Sequence, residues 1–597
     1  PFFVQQILYF LQENNLVQIR TSDGRSIVVL TAHATDLPPT LHGLLVARLD
    51  RLPPSVKEVV QTAAVLGREF DSRLLSLILQ RDLSEEMKVA EQEQIWTDLN
   101  ALMYIFKHGL LRDAAYEMQL RTHLRLLHYL AAVYGEQLYA LNLPIYYGTL
   151  AHHYEAAFLL GQTEAHHKAN HYLQAGGQHA LKNFEHQVAI NYFNRALALA
   201  PANDLAGQFY LLLARETAHD MQGNREAQAG DLGELAGLSR QLTLIDQVIV
   251  ALRQANYGEA TGNYELASKQ AETAVTLSQQ IGDQTLAAEG YSIWGVALWR
   301  LGHLSLAQAQ FHAGVQIARE SANMKLLAHC LHGLGNVAYF QRDHAVARNY
   351  YQQALSIRRE IGDRYGEELS LNNLGVVAWS QGDTLAAQAY HTQNLSFCRE
   401  IGDRRGEGMS FSNLGHVAMG KEDHTAAKMY FEQSLAIRRE VGDSYGEAIS
   451  LNELGAVTMA QGNLMLAEAY YRQALAIRLG LNQPYHLVED WAGLARLKLA
   501  QNDLELSWQY GEQVLEHLRV NPGLEGTIDP LRTFHFIWGV LRELARREAA
   551  HWVLQLAAQI MQAYLDKNHD LGLQAMYLQQ PHHRVLWAAW QDLKDAA

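Results

Sequence analysis

IGDRYGEELSLNNLG from Ile361, IGDRRGEGMSFSNLG from Ile401 and VGDSYGEAISLNELG from Val441 recur at intervals of 40 residues. The same frame extends outward to IGD at Ile281, SAN at Ser321 and LNQ at Leu481. A small residue returns midway through the first half of each unit: Gly295, Gly335, Gly375, Gly415, Gly455 and Ala495. A second small series stands twelve residues on, at Ala307, Ala347, Ala387, Ala427, Ala467 and Ser507. Aromatics follow it at Phe311, Tyr351, Phe431 and Tyr471, with His391 in the equivalent slot. A fixed period of this length marks a repeat architecture in which each unit is one supersecondary element.

The element is a helix–turn–helix. Small residues let paired helices approach, and each aromatic fills the gap beside a neighbouring unit. Gly302-His303, Gly382-Asp383 and Gly462-Asn463 mark the turn inside a unit, where glycine takes the positive φ that ends a helix. Gly362-Asp363, Gly402-Asp403 and Gly442-Asp443 mark the turns between units, with Asp placed to cap the next helix. No such unit buries its apolar face alone, so stability must accumulate along the array.

The pattern resembles the tetratricopeptide repeat (TPR). Its clearest single match is YLQAGGQHALKNFEHQVAINYFNRALALAP, where Leu173, Gly177, Ala180, Ala189, Phe193, Ala196 and Pro201 fill the signature's places. The 40-residue units lack the closing proline and carry longer helices, as in partner-binding signalling adaptors of this family. The resemblance implies a mainly α protein, a right-handed superhelical α-solenoid whose first helices line a concave groove. About nine units run from His166 to roughly Val520, degenerate between Ala202 and about Arg240.

The N-terminal region reads differently. Leu16 to Arg20 and Ser26 to Leu30 flank Ser22-Asp23-Gly24 as a hairpin. Pro38-Pro39 and Pro53-Pro54 mark two helix starts, and helix is expected again from about Gly109. PFFV, ARLDRLPP, AAVLGREF, YIFKHGLLRDAAY and RLLH occur in this order, and YLQQPHHRVLW from Tyr577 closes the chain. In this the chain resembles bacterial signal-transduction ATPases with numerous domains (STAND), often joined to class III nucleotide cyclases or kinases upstream and TPR arrays downstream. The resemblance implies a helical piece and a winged helix that follow a nucleotide-binding domain and relay its state. Pro1 would match the proline of that family's G-x-P motif. The expected divisions are 1–40 (helical segment and hairpin), 41–165 (winged-helix-like and linker helices), 166–520 (TPR array) and 521–597 (capping helices).

Composition narrows the function. A net charge of −15, and near balance of Lys+Arg with Asp+Glu over residues 40–130, lack the cationic footprint of phosphate-backbone binding. Eleven prolines in 597 residues favour long helices. Two cysteines, Cys330 and Cys398, make no disulfide framework and fit a reducing, cytoplasmic setting. No apolar run reaches the roughly 20 residues of a membrane helix, and the N-terminal dozen residues carry no basic start or cleavage site.

Catalysis and cofactors find little support. Phosphates need a G-x-x-x-x-G-K-[ST] cradle, and the only Gly-Lys pair, Gly420-Lys421, lies inside a repeat with Glu after it. The chain is therefore expected to be a non-enzymatic C-terminal portion, with ATP or ADP held by an upstream domain. No G-x-S-x-G occurs, and both cysteines fall within repeat helices. His167 and His171 share a helix face at a spacing that can hold zinc, whereas His152-His153 and His582-His583 are isolated pairs. These read as packing or solvated histidines, and no metal site is expected.

What remains is the groove. Asn336, Asn372, Asn373, Asn413, His416 and Asn452 fall on or near the first-helix face, and an amide both donates to and accepts from an extended peptide backbone. Arg364, Arg404 and Arg405 open successive first helices, placed to meet acidic groups of a partner. Arg358-Arg359 and Arg438-Arg439 are expected to complement helix C-terminal dipoles. The leading expectation is a sensor and protein-interaction module of a STAND-type regulator. The alternatives are a free-standing TPR scaffold and the regulatory region of a nucleotide cyclase.

Overall fold

The computed structural model describes residues 17–22, 25–30, 41–481, 486–524, 527 and 529–595. The chain divides into two bodies, Pro1–Asp246 and Gln247–Ala597, and the division falls inside the array, just past its degenerate stretch.

In the first body, β1 (Val17–Ser22) and β2 (Arg25–Leu30) pair antiparallel, with β1 running two residues past the expected Arg20 and β2 starting one before the expected Ser26. The expected helical segment before it, Pro1 and Pro38-Pro39 lie outside the described residues. Then come α1 (Leu41–Asp50), α2 (Pro54–Leu66), β3 (Glu69–Asp71), α3 (Ser72–Leu79), α4 (Ser84–Gln92), β4 (Trp96–Asp98) and β5 (Met103–Phe106). Pro54 opens α2, where its missing N–H costs no hydrogen bond. The sheet order is β3-β5-β4, antiparallel throughout, a small three-stranded sheet whose strands alternate with α2, α3 and α4 in the chain. The turn between β4 and β5 is tight: Asn100 Oδ1 accepts from the backbone N–H of Leu102 and of Met103, both at 3.0 Å. Phe70, Trp96 and Phe106 form the sheet's aromatic core, with centroids 5.1 to 5.6 Å apart.

α5 (Gly109–Glu117) buries Leu111, Ala114 and Ala115 in that same core, and α6 (Arg121–Leu138) then leads to α7 (Leu143–Leu159) and the first helical hairpins, α8 (Ala165–Lys182) with α9 (His186–Leu199) and α10 (Leu205–Gln222) with α11 (Arg225–Ser239). Phe193 sits on Gly177, as the signature requires: a Cβ there would meet its ring.

The second body continues with α12 (Leu244–Ala260) and α13 (Tyr264–Ile281), then α14 (Gln284–Arg300), α15 (Leu304–Glu320), α16 (Met324–Phe340), α17 (His344–Glu360), α18 (Arg364–Ser380), α19 (Thr384–Ile401), α20 (Arg404–Gly420), α21 (His424–Glu440), α22 (Ser444–Ala460), α23 (Leu464–Gly480), α24 (Leu487–Ala500) and α25 (Leu504–Val520). This is an α-solenoid of stacked hairpins. From α14 to α23 the ring of each second helix rests on the glycine of its own first helix: a Cβ on Gly295 would stand 2.7 Å from Phe311, and one on Gly455 2.8 Å from Tyr471. Asp363, Asp403 and Asp443 cap their helices by accepting from Gly366, Gly406 and Gly446 N–H at 2.9 to 3.0 Å. The left-handed turn position survives without glycine at Ala322, Arg342, Glu422 and Asn502, so stacking imposes it on residues that locally disfavour it.

The motif D-x-x-G has a second use. Arg358 is buried at 4% exposure, and its Nη1 donates to Gly366 O at 2.8 Å; Arg438 does the same to Gly446 O. A side chain at Gly366 or Gly446 would occupy the space of that guanidinium. These arginines therefore do not serve as exposed dipole partners. They tie one unit to the next, because a buried guanidinium must find acceptors. Arg359 and Arg439 pair with Glu367 and Glu447, both at 2.7 Å.

Candidate functional site

The repeat sets successive first helices side by side, and asparagines bridge them at separations of 37 to 41 residues. Asn336 Oδ1 accepts from Tyr351 Oη at 2.7 Å and from Asn373 Nδ2 at 3.3 Å. Asn372 Oδ1 accepts from Asn413 Nδ2 at 2.9 Å, and Asn452 Nδ2 donates to Asp490 Oδ1 at 2.6 Å. Asn372 is 8% exposed and Asn452 3%. These two do not present free amides to a partner. A group that both donates and accepts can chain from unit to unit, and here it forms a lateral ladder. His416 packs edge-on against Phe431 with Nδ1 3.8 Å from Glu453.

The arginines divide as well. Arg364 reaches Glu400 at 2.5 Å and lies 4.3 Å from the Phe397 ring centroid. Arg404 pairs with Glu440 at 2.5 Å and with Glu407. Arg405 is exposed.

The C-terminal helices do more than cap the array. α26 (Pro530–Glu543), α27 (Arg547–Lys567), α28 (Leu571–Gln579) and α29 (Pro581–Asp595) fold back along it. Arg532 of α26 forms a two-pronged pair with Glu453 of α22, with Nη2 to Oε1 at 2.7 Å, both side chains buried. Burial alone would raise the Glu453 carboxyl; Arg532 and His416 bring it below its ordinary value. Beyond α27, Asn568 donates to Arg342 O at 3.2 Å, Lys567 to Gln341 O, and Gln580 of the following turn to Trp379 O at 2.9 Å. Almost every side of α22 and α24 is consequently buried. Within that covered stretch Arg478 stands between Glu489 at 3.1 Å and Asp490 at 3.0 Å, and burial pushes Asp490 up to about 7.

The opposite stretch of the same face stays open. Trp299 and Arg300 of α14, Asn336, Tyr339 and Phe340 of α16, Tyr351 of α17, and Asn373 and Val376 of α18 line a cavity of about 270 Å³. Phe340 is 51% exposed, stands edge-on to Trp299 at 5.6 Å, and the Arg300 guanidinium lies 4.3 Å from that indole. Of the asparagines expected to bind a partner, Asn336 and Asn373 are the ones that line it. Trp299, Arg300 and Phe340 were missed in sequence, although they end first helices one period apart (Arg300 and Phe340) and large exposed aromatics at such positions were a readable signal.

Histidines expected to be isolated are not. His128 joins His152 and His153, and His535 Nδ1 stands 2.9 Å from His582 Nδ1. Cys330 and Cys398 are buried free thiols, each pushed up by burial to about 12. Among the described residues no helix is long and apolar enough to cross a membrane.

Residues 366–440 and 408–479 match a family model described as tetratricopeptide repeat, and residues 327–361 match a second model of that description. No curated protein matches. Among solved structures, the chain is similar to a signal transduction ATPase with numerous domains carrying a tetratricopeptide repeat sensor, from Pyrococcus horikoshii. The identity is 15%, covering 81% of this chain and 66% of that one, at a TM-score of 0.43. It thus spans just under two thirds of that relative's length. The apo form of RapI is 15% identical over 59% of this chain and 99% of its own, at 0.47. The apo form of the quorum sensor NprR from B. thuringiensis is 13% identical over 58% and 97%, at 0.43.

Proposed function

We propose that the chain is a non-catalytic sensor and protein-interaction module of a STAND-type regulator, and that its partner docks in the open cavity of the second body. The observation that carries this reading is the pairing of apolar and amide groups around one small recess. Trp299, Phe340 and Val376 offer contact area for an apolar side chain, and the Asn336 and Asn373 amides offer donors and acceptors for a peptide backbone. Recesses of this kind, apolar with a few convergent polar groups, are the usual form of a ligand site. The ordered motifs from PFFV to RLLH and the winged-helix-like arrangement support placing this module beside an ATPase switch, with ATP or ADP held outside this chain. In that arrangement the first body passes the binding event on.

Panning a random peptide library on the full chain, followed by fluorescence anisotropy of the selected peptides, tests the assignment. Phe340→Glu should weaken them at least tenfold, about 1.4 kcal/mol, with an unchanged melting temperature. Equal binding by Phe340→Glu removes the cavity from the proposal. Calorimetric titration of the chain with Mg-ATP or Mg-ADP should be flat, and a stoichiometric isotherm would contradict the non-catalytic reading.

A further inference from the structure

In the first body, the winged-helix-like domain meets the helices that begin the array at a knot of imidazoles. His128 projects from α6, and His152 and His153 from α7; one ligating atom of each lies within 4.8 Å of the others. His128 and His153 are both buried at 1% exposure, with their Nδ1 atoms 2.9 Å apart, and His152 is exposed. On the far side of the His128 ring, Nε2 stands 2.9 Å from the phenol of Tyr116 on α5. Two helices therefore bring three imidazoles to one point, and a third adds the phenol of Tyr116.

We propose that His128, His152 and His153 form a binding site for a divalent transition ion of the zinc class. Three imidazoles with a fourth position open to water is a donor set that such an ion takes. At Zn–N distances of about 2.0–2.1 Å the tetrahedron spaces its nitrogens about 3.4 Å apart, so the His128–His153 pair has to open by about half an ångström to accept it. Without an ion, one Nδ1 of this pair carries a proton and donates to the other; the ion replaces that proton. Burial holds His128 at about 4 and His153 well below its ordinary value, so both rings offer neutral lone pairs at neutral pH. With Nδ1 of His128 turned to the ion, its Nε2–H donates to Tyr116, the outer contact that fixes ring orientation in ligating histidines. The neighbouring cations have their own carboxylates: Arg195 pairs with Glu155, and Arg112 with Asp113 at 3.0 Å. A bound ion would staple α6 to α7, and through Tyr116 to α5, stiffening the junction through which the first body links its two parts.

The test is titration of the chelator-treated full chain with Zn²⁺ alone by calorimetry, together with the visible absorption of the Co²⁺ form. The site predicts one stoichiometric tight event, a tetrahedral Co²⁺ band, and a Zn²⁺-dependent rise in melting temperature. His152→Ala, at an exposed position that should leave the fold intact, loses the band and at least tenfold in affinity. Tyr116→Phe weakens binding about tenfold while retaining the band. His171→Ala, on the neighbouring helix, changes nothing. A parent chain that shows no stoichiometric binding overturns the proposal. So does a His152→Ala variant that binds as the parent does, since the three rings are then only a packed cluster.

Discussion

One face of the second body is built from a single 40-residue pattern and ends in two opposite states. At α14, α16 and α18 it is open, with Phe340 half exposed beside Trp299 and the Asn336–Asn373 pair. At α22 and α24 the equivalent face is buried, Glu453 at 1% exposure in the position that Asn373 holds two units earlier. The repeat does not by itself decide which positions are covered. The fold-back of α26 to α29 does, by burying α22 and α24 while touching α16 and α18 only at their C-terminal ends, around Gln341, Arg342 and Trp379. The polar groups differ too: the Arg532–Glu453 pair is buried where the face is covered, and Arg300 with the Asn336 and Asn373 amides lines the recess where it is open.

The covered stretch should be the easiest to break. Arg532→Ala leaves Glu453 buried without its two-pronged partner, and such losses cost about 3–5 kcal/mol. Replacing both residues by leucine should restore most of that stability, because the desolvation penalty vanishes with the charges. Urea unfolding of the single and double variants measures both. A single variant as stable as the parent would mean that α26 does not clamp α22.

Gly415→Leu attacks the packing shared by both stretches. The added side chain collides with the Phe431 ring, and overpacking of this kind costs about 1–3 kcal/mol. Hydrogen exchange should lose protection around residues 404–440 and spare the first body, because the array is stabilised by neighbours. Uniform loss along the chain would indicate one global cooperative unit.

The asparagine ladder comes next. Asn372→Ala with Asn413→Ala removes the 2.9 Å lateral bond, at about 1 kcal/mol. The melting temperature should therefore fall, and binding at the open cavity should change little. A variant that melts like the parent but binds tenfold more weakly would return both residues to the binding face.

The smallest effect isolates one histidine. His391 fills a slot that Phe311 and Phe431 fill elsewhere, its Nδ1 is buried without a hydrogen-bond partner, and burial pushes it down to about 3. A base held neutral when folded lets the unfolded chain take up a proton first, below its ordinary value of about 6.5. Its cost to stability therefore grows as pH falls from 6.5 towards 3, and His344 and His583 act in the same direction, while Asp490, raised to about 7, acts in the opposite one. His391→Phe should raise the melting temperature more at pH 5 than at pH 7.5. An equal rise at both would show the ring is hydrated.

Much of this architecture was legible in the residues. Gly415 and Phe431, Asp403 and its cap, and the period itself are local or one unit apart, and each has a single steric explanation. AAVLGREF and YIFKH became the end of α2 with β3, and β5 with the residues after it, within a small three-stranded sheet. The fold-back was not legible. Lys567 and Gln341 are 226 residues apart, and nothing in either side chain specifies the other. The site divided along the same line. The asparagines lie on first helices, and burial at Asn372 and Asn452 depends on which neighbours cover them. The arginine at position 358 looked like a surface charge because its acceptor, Gly366 O, is a backbone atom that sequence does not display.

The account rests most directly on the open cavity being where a partner lands. Hydrogen exchange of the full chain, with and without a library-selected peptide at saturation, tests this. It predicts new protection at residues 295–301, 333–341 and 370–377, and none at 450–458. Protection confined to 450–458, or to the first body, would contradict it.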